Sequence, residues 1–294
     1  MNRQLRKPVK RVSVVTVCLN AEDTLDQTMR SVQDQTHSEI EHVVIDGQST
    51  DGTVKIAMRY EPATLVSERD GGIYDAMEKG ARLSTGDVLF FLNSGDTFFD
   101  ENVLADIVSF FNREDADAVF GNLLPHYAKE SDNHDHPAFM PGRVMDFSYF
   151  ANRRLFFTES VHHQATFYRK EIFDVCSFLA RDAAANGEYH LNVQAFVRRG
   201  FMLKHIPRIV CKFALGGTST ANFSVEWAKF TAARSIIREE YFPKGPRIDR
   251  RNAFEYLVSF PGPVSFVKIV LREAAVLDFL RAMREKLPPY GTKR

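Results

Sequence analysis

Four short apolar runs, separated by segments of helical character, organise the first hundred residues of the chain. The runs occupy residues 12–19, 40–45, 64–67 and 88–92, and their β-branched and aromatic side chains predict buried strands. Helices are predicted between them, over residues 21–33, 51–60 and 73–83. This alternation predicts a Rossmann-like α/β fold, a doubly wound and mostly parallel sheet with helices on both faces.

The second half of the chain has a less regular pattern. It predicts a helix over residues 102–111 and strands over 118–121, 201–206 and 209–215. From residue 223 onward, apolar side chains recur at helical spacing with Lys and Arg between them. We expect an α/β domain over residues 1–220 and a C-terminal helical region over 221–294. That region packs by default on its own chain, with a second copy or an anionic membrane surface as alternatives.

Three of the predicted strands end at a polar or acidic residue, namely Asn20, Asp46 and Asp96. Parallel strands of an open α/β sheet bind ligands just beyond their carboxyl ends, so these residues are expected along one ligand-binding edge. A single acid at a strand end is more often structural, but three in register favour a nucleotide crevice. The sequence has neither a GxGxxG after the first strand nor a GxxxxGK[ST], which argues against dinucleotide-binding and P-loop folds.

Composition and charge limit the classes of protein to which the chain can belong. The chain has 294 residues and a net charge of zero, so no general electrostatic field attracts nucleic acid. Its three cysteines are widely spaced, which suits a reducing compartment. No stretch has the length or flanks of a signal peptide or a membrane span. We therefore expect a cytoplasmic protein, with contact to the inner face of the membrane limited to its surface.

Four motifs in order resemble the family-two glycosyltransferases with the GT-A fold. They are VVTVCLN at 14–20, DGQSTDGT at 46–53, SERDGGIYDAMEKG at 67–80 and FLNSGD at 91–96. Together they resemble the bacterial exopolysaccharide subgroup of the colanic acid type, and the match covers roughly residues 12–217. The chain departs from the family at the metal motif, where Asn93 and Gly95 stand at positions that are Asp in many relatives.

The resemblance implies a nucleotide-sugar donor, with UDP favoured, and a divalent cation, Mn²⁺ or Mg²⁺. Asp46 would accept a hydrogen bond from the base, and Asp96 would bind the cation that bridges the diphosphate. The implied donor site comprises Thr16, Leu19, Asn20, Asp46, Arg69, Asp70, Asp75, Asn93, Ser94 and Asp96. Gly216 and Gly217 would let main-chain N–H groups approach the diphosphate.

The same resemblance implies an inverting reaction with a carboxylate as general base. The family typically has an Asp-Tyr pair where this chain has Glu188 and Tyr189, so Glu188 is the implied base and Asp182 the runner-up. The implied acceptor or sugar pocket comprises Tyr74, His163, Gln164 and Tyr189. The acceptor would be a glycan or an oligosaccharide linked to polyprenyl diphosphate, and a lipid-linked acceptor favours contact with a membrane surface. A homo-oligomer that forms through the C-terminal helices also stays open.

Two other functions compete with this interpretation. A nucleotidyltransferase uses a similar sheet and metal, but it would usually have a glycine-rich basic loop where this chain has Asn20 and the acids after it. The second alternative is a non-catalytic partner that binds sugar nucleotides, and its main support is that Asn93 and Gly95 replace Asp in the metal motif. The His-x-His of residues 134–136 has nearby carboxylates, and its metal-binding interpretation is weaker than that of a solvated loop.

Overall fold

The computed structural model describes residues 6–127, 140–151, 160–179, 186–216 and 223–242. Within these ranges the strands are β1 (Val12–Cys18), β2 (Ile40–Asp46), β3 (Thr64–Ser67), β4 (Val88–Phe91), β5 (Thr97–Phe98), β6 (Ala118–Tyr127), β7 (Thr166–Arg169) and β8 (Leu203–Leu215). The helices are α1 (Leu25–Gln33), α2 (Thr53–Met58), α3 (Ile73–Leu83), α4 (Val103–Arg113), α5 (Gly187–Asn192) and α6 (Phe223–Tyr241).

One curled sheet contains all eight of these strands, in the order β3-β2-β1-β4-β7-β6-β8-β5. The first half is parallel, with β1 between β2 and β4 and β3 outside β2. The second half is mixed, because β7 runs antiparallel to β4 and β6 while β6 and β8 run parallel. The α/β class predicted from the alternating pattern is confirmed, and the antiparallel strands were not predicted.

The core lies on both faces of the central strands. All four residues of β4 are completely buried, which explains why its sequence is continuously apolar. The ring of Phe90 stacks on Phe167 of β7 at 4.1 Å between centroids, and Phe91 meets Phe178 edge-on at 5.0 Å. These aromatic contacts fix the antiparallel register in which Phe90 faces Phe167.

Several predicted boundaries need correction. Gly121 and Asn122 do not end a strand: β6 continues to Tyr127, with an irregularity in its pairing to β8 at these residues. The two strands predicted over 201–215 form the single strand β8. After α5 the chain continues as one π-helical segment, Val193–Arg198.

Helix α6 belongs to the compact unit that extends to Tyr241. The predicted division at residue 220 stays a prediction, and the helices expected beyond residue 242 lie outside the described residues. No helix in the described part of the chain combines the length and apolar character needed to cross a membrane.

Candidate active site

The carboxyl ends of β1, β2 and β4 bring Asn20, Asp46 and Asp96 to one edge of the sheet, as parallel strands require. Asp46 is fully buried, and its carboxylate accepts hydrogen bonds from the Ser49 main chain at 2.9 Å and from the hydroxyls of Ser49 and Ser67. In this structure Asp46 therefore shapes the turn after β2. Its role in reading the base stays a prediction.

The surface beside Asp46 is open and lined by both apolar and polar groups. Leu19 is 58% exposed at the end of β1. A Cβ atom at position 47 would come within 2.8 Å of Asp70 Oδ2 and 3.4 Å of Leu19 Cδ1. Because Gly47 has no side chain, the surface between Leu19 and Asp70, here called the open floor, stays clear. Asn20 adopts a positive φ of 48°, and its side-chain oxygen accepts a hydrogen bond from the Thr50 main chain. The apolar side chain of Leu19 is therefore exposed next to the turn at Asn20.

Thr16 lies in β1, and its predicted contact with the donor is through the main chain. Its side chain is completely buried, and its Oγ1 lies 2.9 Å from His42 Nε2 on the neighbouring strand. The main-chain contact with the donor stays a prediction.

Three of the predicted donor residues lie around the start of α3, with Arg69 and Asp70 before the helix and Asp75 in its first turn. Arg69 is exposed, and Asp70 and Asp75 are half-buried. Asp70 accepts a hydrogen bond from Gly72 N–H and Asp75 accepts one from Gly71 N–H, both at 2.9 Å. Gly72 has a φ of 117°, a conformation that favours glycine, and it begins the turn into the helix. The two carboxylates therefore hold this turn beside the open floor at Gly47.

Asp96 lies beyond the end of β4 and is only 3% exposed. Its Oδ1 accepts a 2.8 Å hydrogen bond from the main-chain N–H of Ala214, and the Gln164 side chain also donates to it. Burial raises the pKa of Asp96 to about 7, an effect that these hydrogen bonds oppose only in part. A cation bound beside Asp96 would favour the ionised carboxylate and so oppose the effect of burial.

The oxygen atoms around Asp96 fit a hard divalent cation. Asn93 Oδ1 and Gln164 Oε1 are buried, and neither accepts a hydrogen bond from any residue that the structure describes. Mg²⁺ and Mn²⁺ prefer oxygen ligands and often use only one or two carboxylates, with substrate phosphates completing the shell. No group of three acidic, His or Cys side chains that could hold a metal ion occurs among the described residues. The binding of a cation at Asp96 stays a prediction.

Glu188, in the first turn of α5, contacts His163, and His163 in turn contacts Asn93 in the turn that leads to Asp96. The Oε2 atom of Glu188 is 2.7 Å from His163 Nδ1 and 2.7 Å from the His163 main-chain nitrogen. On the other side of the ring, Nε2 is 3.0 Å from Asn93 Nδ2. Burial raises the pKa of Glu188, but the hydrogen bonds from His163, together with the electrostatic influence of His162 and His163, outweigh it and lower the pKa below its usual value. Glu188 is therefore ionised at neutral pH.

The antiparallel pairing of β4 and β7 explains how these residues meet. With Phe90 opposite Phe167, the residues that follow β4 lie across from those that precede β7. Asn93 and Asp96 thus face His163 and Gln164. Both His163 and Gln164 are buried, with His163 against Glu188 and Gln164 against Asp96. Their predicted place in the acceptor or sugar pocket stays a prediction.

Tyr189 and Tyr74 differ in their surroundings. Tyr189 is completely buried, so its predicted sugar contact is wrong for this structure: the ring packs in the core under the guanidinium of Arg234, 5.2 Å away. Tyr74 is half-buried and stacks on Phe178, and burial raises the pKa of its hydroxyl. Its position as a sugar contact stays a prediction.

Sequence reasoning missed Arg234. It lies on α6, and its charge acts on both Tyr74 and His162. A helix with many basic residues gives no local signal that one of them turns towards a site, so only the packing of α6 identifies it.

The glycine segment after β8 is described in part. Gly216 follows Leu215 with a φ of 92°, close in the chain to the Ala214 that donates to Asp96. Gly217 and the alternative base Asp182 lie outside the described residues, as does the His-x-His of residues 134–136. Ser94, between Asn93 and Gly95, is half-buried at the same turn.

Comparison with known proteins identifies relatives of this arrangement. A family model described as glycosyl transferase family 2 matches residues 13–176, which include β1 to β7. A PGL/p-HBAD biosynthesis glycosyltransferase of Mycobacterium bovis (strain BCG / Pasteur 1173P2) is 29% identical over 224 residues, covering 74% of this chain and 82% of the relative.

Solved structures share the architecture. S. aureus TarS 1-349 in complex with UDP-GlcNAc superposes with a TM-score of 0.55 at 15% identity, covering 85% of this chain and 79% of that one. The mannosyltransferase PcManGT from Pyrobaculum calidifontis, in complex with GDP-Man and Mn²⁺, gives a TM-score of 0.56 at 19% identity, covering 78% and 64%. At these identities the likeness establishes the fold.

Proposed function

Because the chain belongs to glycosyl transferase family 2 and has the GT-A type of α/β fold, we propose that it is an inverting enzyme that uses a nucleotide-sugar donor, with UDP-sugars favoured. One observation carries the proposal. A single hydrogen-bonded series, Asn93–His163–Glu188, joins the loop that holds Asp96 to a buried, ionised carboxylate. In this proposal Asp96, on the donor side, and Glu188, on the acceptor side, therefore belong to one site.

Glu188 acts as the general base of this proposal. An acceptor hydroxyl approaches the anomeric carbon from the face opposite the diphosphate and loses its proton to the carboxylate. The new C–O bond forms as the bond to the diphosphate oxygen breaks, and the electron pair leaves with the nucleoside diphosphate. Displacement in one step inverts the anomeric centre. Holding Glu188 at His163 keeps the carboxylate in one place before the acceptor arrives.

The donor occupies the open floor at the sheet edge. Leu19 supplies an apolar surface for the base, and Asp46 is the carboxylate assigned to reading it. Arg69 offers positive charge to the diphosphate, while Asp70 and Asp75 are assigned to sugar hydroxyls. The UDP-GlcNAc bound to TarS and the GDP-Man bound to PcManGT support a nucleotide-sugar donor of either base class.

A divalent cation completes the donor site. Asp96 would hold it, with the amide oxygens of Asn93 and Gln164 nearby, and PcManGT binds Mn²⁺ in its complex. When bound, such an ion stabilises the negative charge on the departing diphosphate.

The acceptor is proposed to be a glycan or a polyprenyl-diphosphate-linked oligosaccharide of bacterial exopolysaccharide or surface polysaccharide biosynthesis. A lipid-linked acceptor would place the enzyme in the cytoplasm at the inner face of the membrane.

Calorimetric titration tests the donor site. Purified protein is titrated with UDP, GDP and dTDP, each with and without Mn²⁺. We expect one nucleotide to bind in a metal-dependent manner, and that nucleotide selects the donor sugars for a transfer assay. A folded protein that binds none of them in either condition would contradict the proposal.

A further inference from the structure

The two ring nitrogens and the main-chain nitrogen of His163 all contact two other residues of the candidate site. Its Nδ1 and its main-chain nitrogen both lie 2.7 Å from the same oxygen, Oε2 of Glu188. Its Nε2 lies 3.0 Å from Asn93 Nδ2. The ring is 7% exposed and the Glu188 side chain 12%, so water competes little for these bonds.

The chemistry of the three groups determines where the ring proton lies. An amide nitrogen can only donate a hydrogen bond, so Nε2 must be the acceptor and carry no proton. A neutral imidazole then has its proton on Nδ1, and this N–H points to an ionised carboxylate, which can only accept. Each bond of the series thus has one donor and one acceptor.

We propose that Asn93 fixes the tautomer of His163, and that His163 in turn positions Glu188 for proton abstraction. The role given to Glu188 rests on the proposed function, whereas the tautomer does not. Both donors of His163 bind Oε2, which assigns Oε1 to the acceptor hydroxyl. Asn93 and His163 are positioning residues, since they act on the acceptor through Glu188.

This proposal gives a reason for Asn at position 93. An aspartate there would present oxygen atoms to Nε2 and would favour a proton on that nitrogen. The ring would then either turn an unprotonated Nδ1 towards the Glu188 carboxylate or become a buried imidazolium. The charged and titratable groups that act on the ring are Glu188, Asp96 and His162, and a new carboxylate at 93 would add to them.

Nitrogen NMR tests the tautomer without any ligand. The chain has nine histidines, so ¹⁵N-histidine-labelled protein is compared with a His163→Gln variant to assign the His163 ring. Long-range ¹H–¹⁵N spectra at neutral pH should show Nδ1 protonated and Nε2 bare. We expect Asn93→Asp to move the proton to Nε2 or to protonate both nitrogens. Asn102→Asp, a surface change beside Thr36, should leave the ring unchanged.

Kinetics test the positioning role with the donor chosen by the titration. His163→Leu should lower kcat about 10²-fold with little change in the donor KM, because a misplaced base affects the chemical step. His163→Asn places its amide nitrogen near the Nδ1 position and should recover about tenfold. His163→Gln places its amide near the Nε2 position and should not.

The outcomes separate the two proposals. A protonated Nε2 in the wild-type ring, or a His163→Gln variant as active as His163→Asn, would overturn the positioning proposal. Full activity of Glu188→Gln together with the expected tautomer would instead overturn Glu188 as the base and leave the Asn93–His163 relation intact. If His163→Leu does not fold, the wild-type and Asn93→Asp spectra still decide the tautomer.

Discussion

The Oδ1 atom of Asp96 accepts a 2.8 Å hydrogen bond from the main-chain N–H of Ala214, 118 residues further along the chain. This bond ties the turn after β4 to the end of β8. It also places Gly216, the first residue of the proposed diphosphate segment, two residues from a partner of the proposed metal ligand. The proposed donor site therefore draws its residues from both halves of the chain.

Asp96→Asn is expected to remove metal-dependent nucleotide binding. The amide keeps the size of the side chain but lacks the charge that a divalent cation requires, so the Mn²⁺-dependent gain in nucleotide affinity should fall at least tenfold, or about 1.4 kcal/mol. Isothermal calorimetry with and without Mn²⁺ measures this. Asp34→Asn, at an exposed carboxylate after α1, serves as control. Equal metal dependence in both variants would remove Asp96 from the metal site.

Glu188→Gln is expected to abolish transfer while nucleotide binding survives. The amide cannot take a proton from the acceptor, and loss of a general base typically costs 10²–10⁴-fold in rate. Glu188→Asp should fall between the two, because the shorter side chain cannot keep its bonds to His163 and reach the acceptor equally well. Measurement of kcat and of the nucleotide Kd separates chemistry from binding. Unchanged turnover in Glu188→Gln would show that another group is the base.

Gly187→Ala is expected to destabilise the protein and to displace Glu188. A methyl group at this position would lie 2.6 Å from Tyr74 Cγ and 2.7 Å from the Phe178 carbonyl oxygen, closer than packed atoms allow. Overpacking of this kind typically costs about 1–3 kcal/mol. Thermal unfolding should show a lower Tm than for Gly71→Ala, whose methyl group would make ordinary contacts of 3.6 Å or more with Asp75. Equal Tm values would contradict this prediction and would show that Tyr74 and Phe178 move enough to accommodate the methyl group.

The half-buried ring of His42 predicts a stability change with pH. Burial lowers the pKa of His42 to about 4 from an unfolded value near 6.5. The unfolded chain therefore binds the proton more tightly, and this residue's contribution, present above pH 6.5, is lost as pH falls towards 4. Urea unfolding at pH 7 and pH 5 should show a smaller pH-dependent loss in His42→Gln than in the wild type. His37→Gln, at a half-buried histidine whose ring bonds the Lys10 carbonyl, serves as the comparison variant.

Local patterns in the sequence predicted much of the first half of the fold. The helix expected over 73–83 has those bounds, and the four apolar runs became β1 to β4 because continuous burial requires continuous apolar sequence. The parallel sheet edge followed from the alternation of strands and helices. The positions of β7 and β8 did not, since the sequence of a strand does not identify the neighbour with which it pairs.

The motifs by themselves determined the family and the kind of chemistry, because residues such as Asp96 and Glu188 lie in short, recognisable segments. Only the tertiary structure decided how these residues are connected. The pairing of β4 with β7 placed His163 between Asn93 and Glu188, and the packing of α6 brought Arg234 over Tyr189. The physical reason is that periodicity and turn signals act over a few residues, whereas these contacts join segments tens of residues apart and depend on how the whole sheet packs.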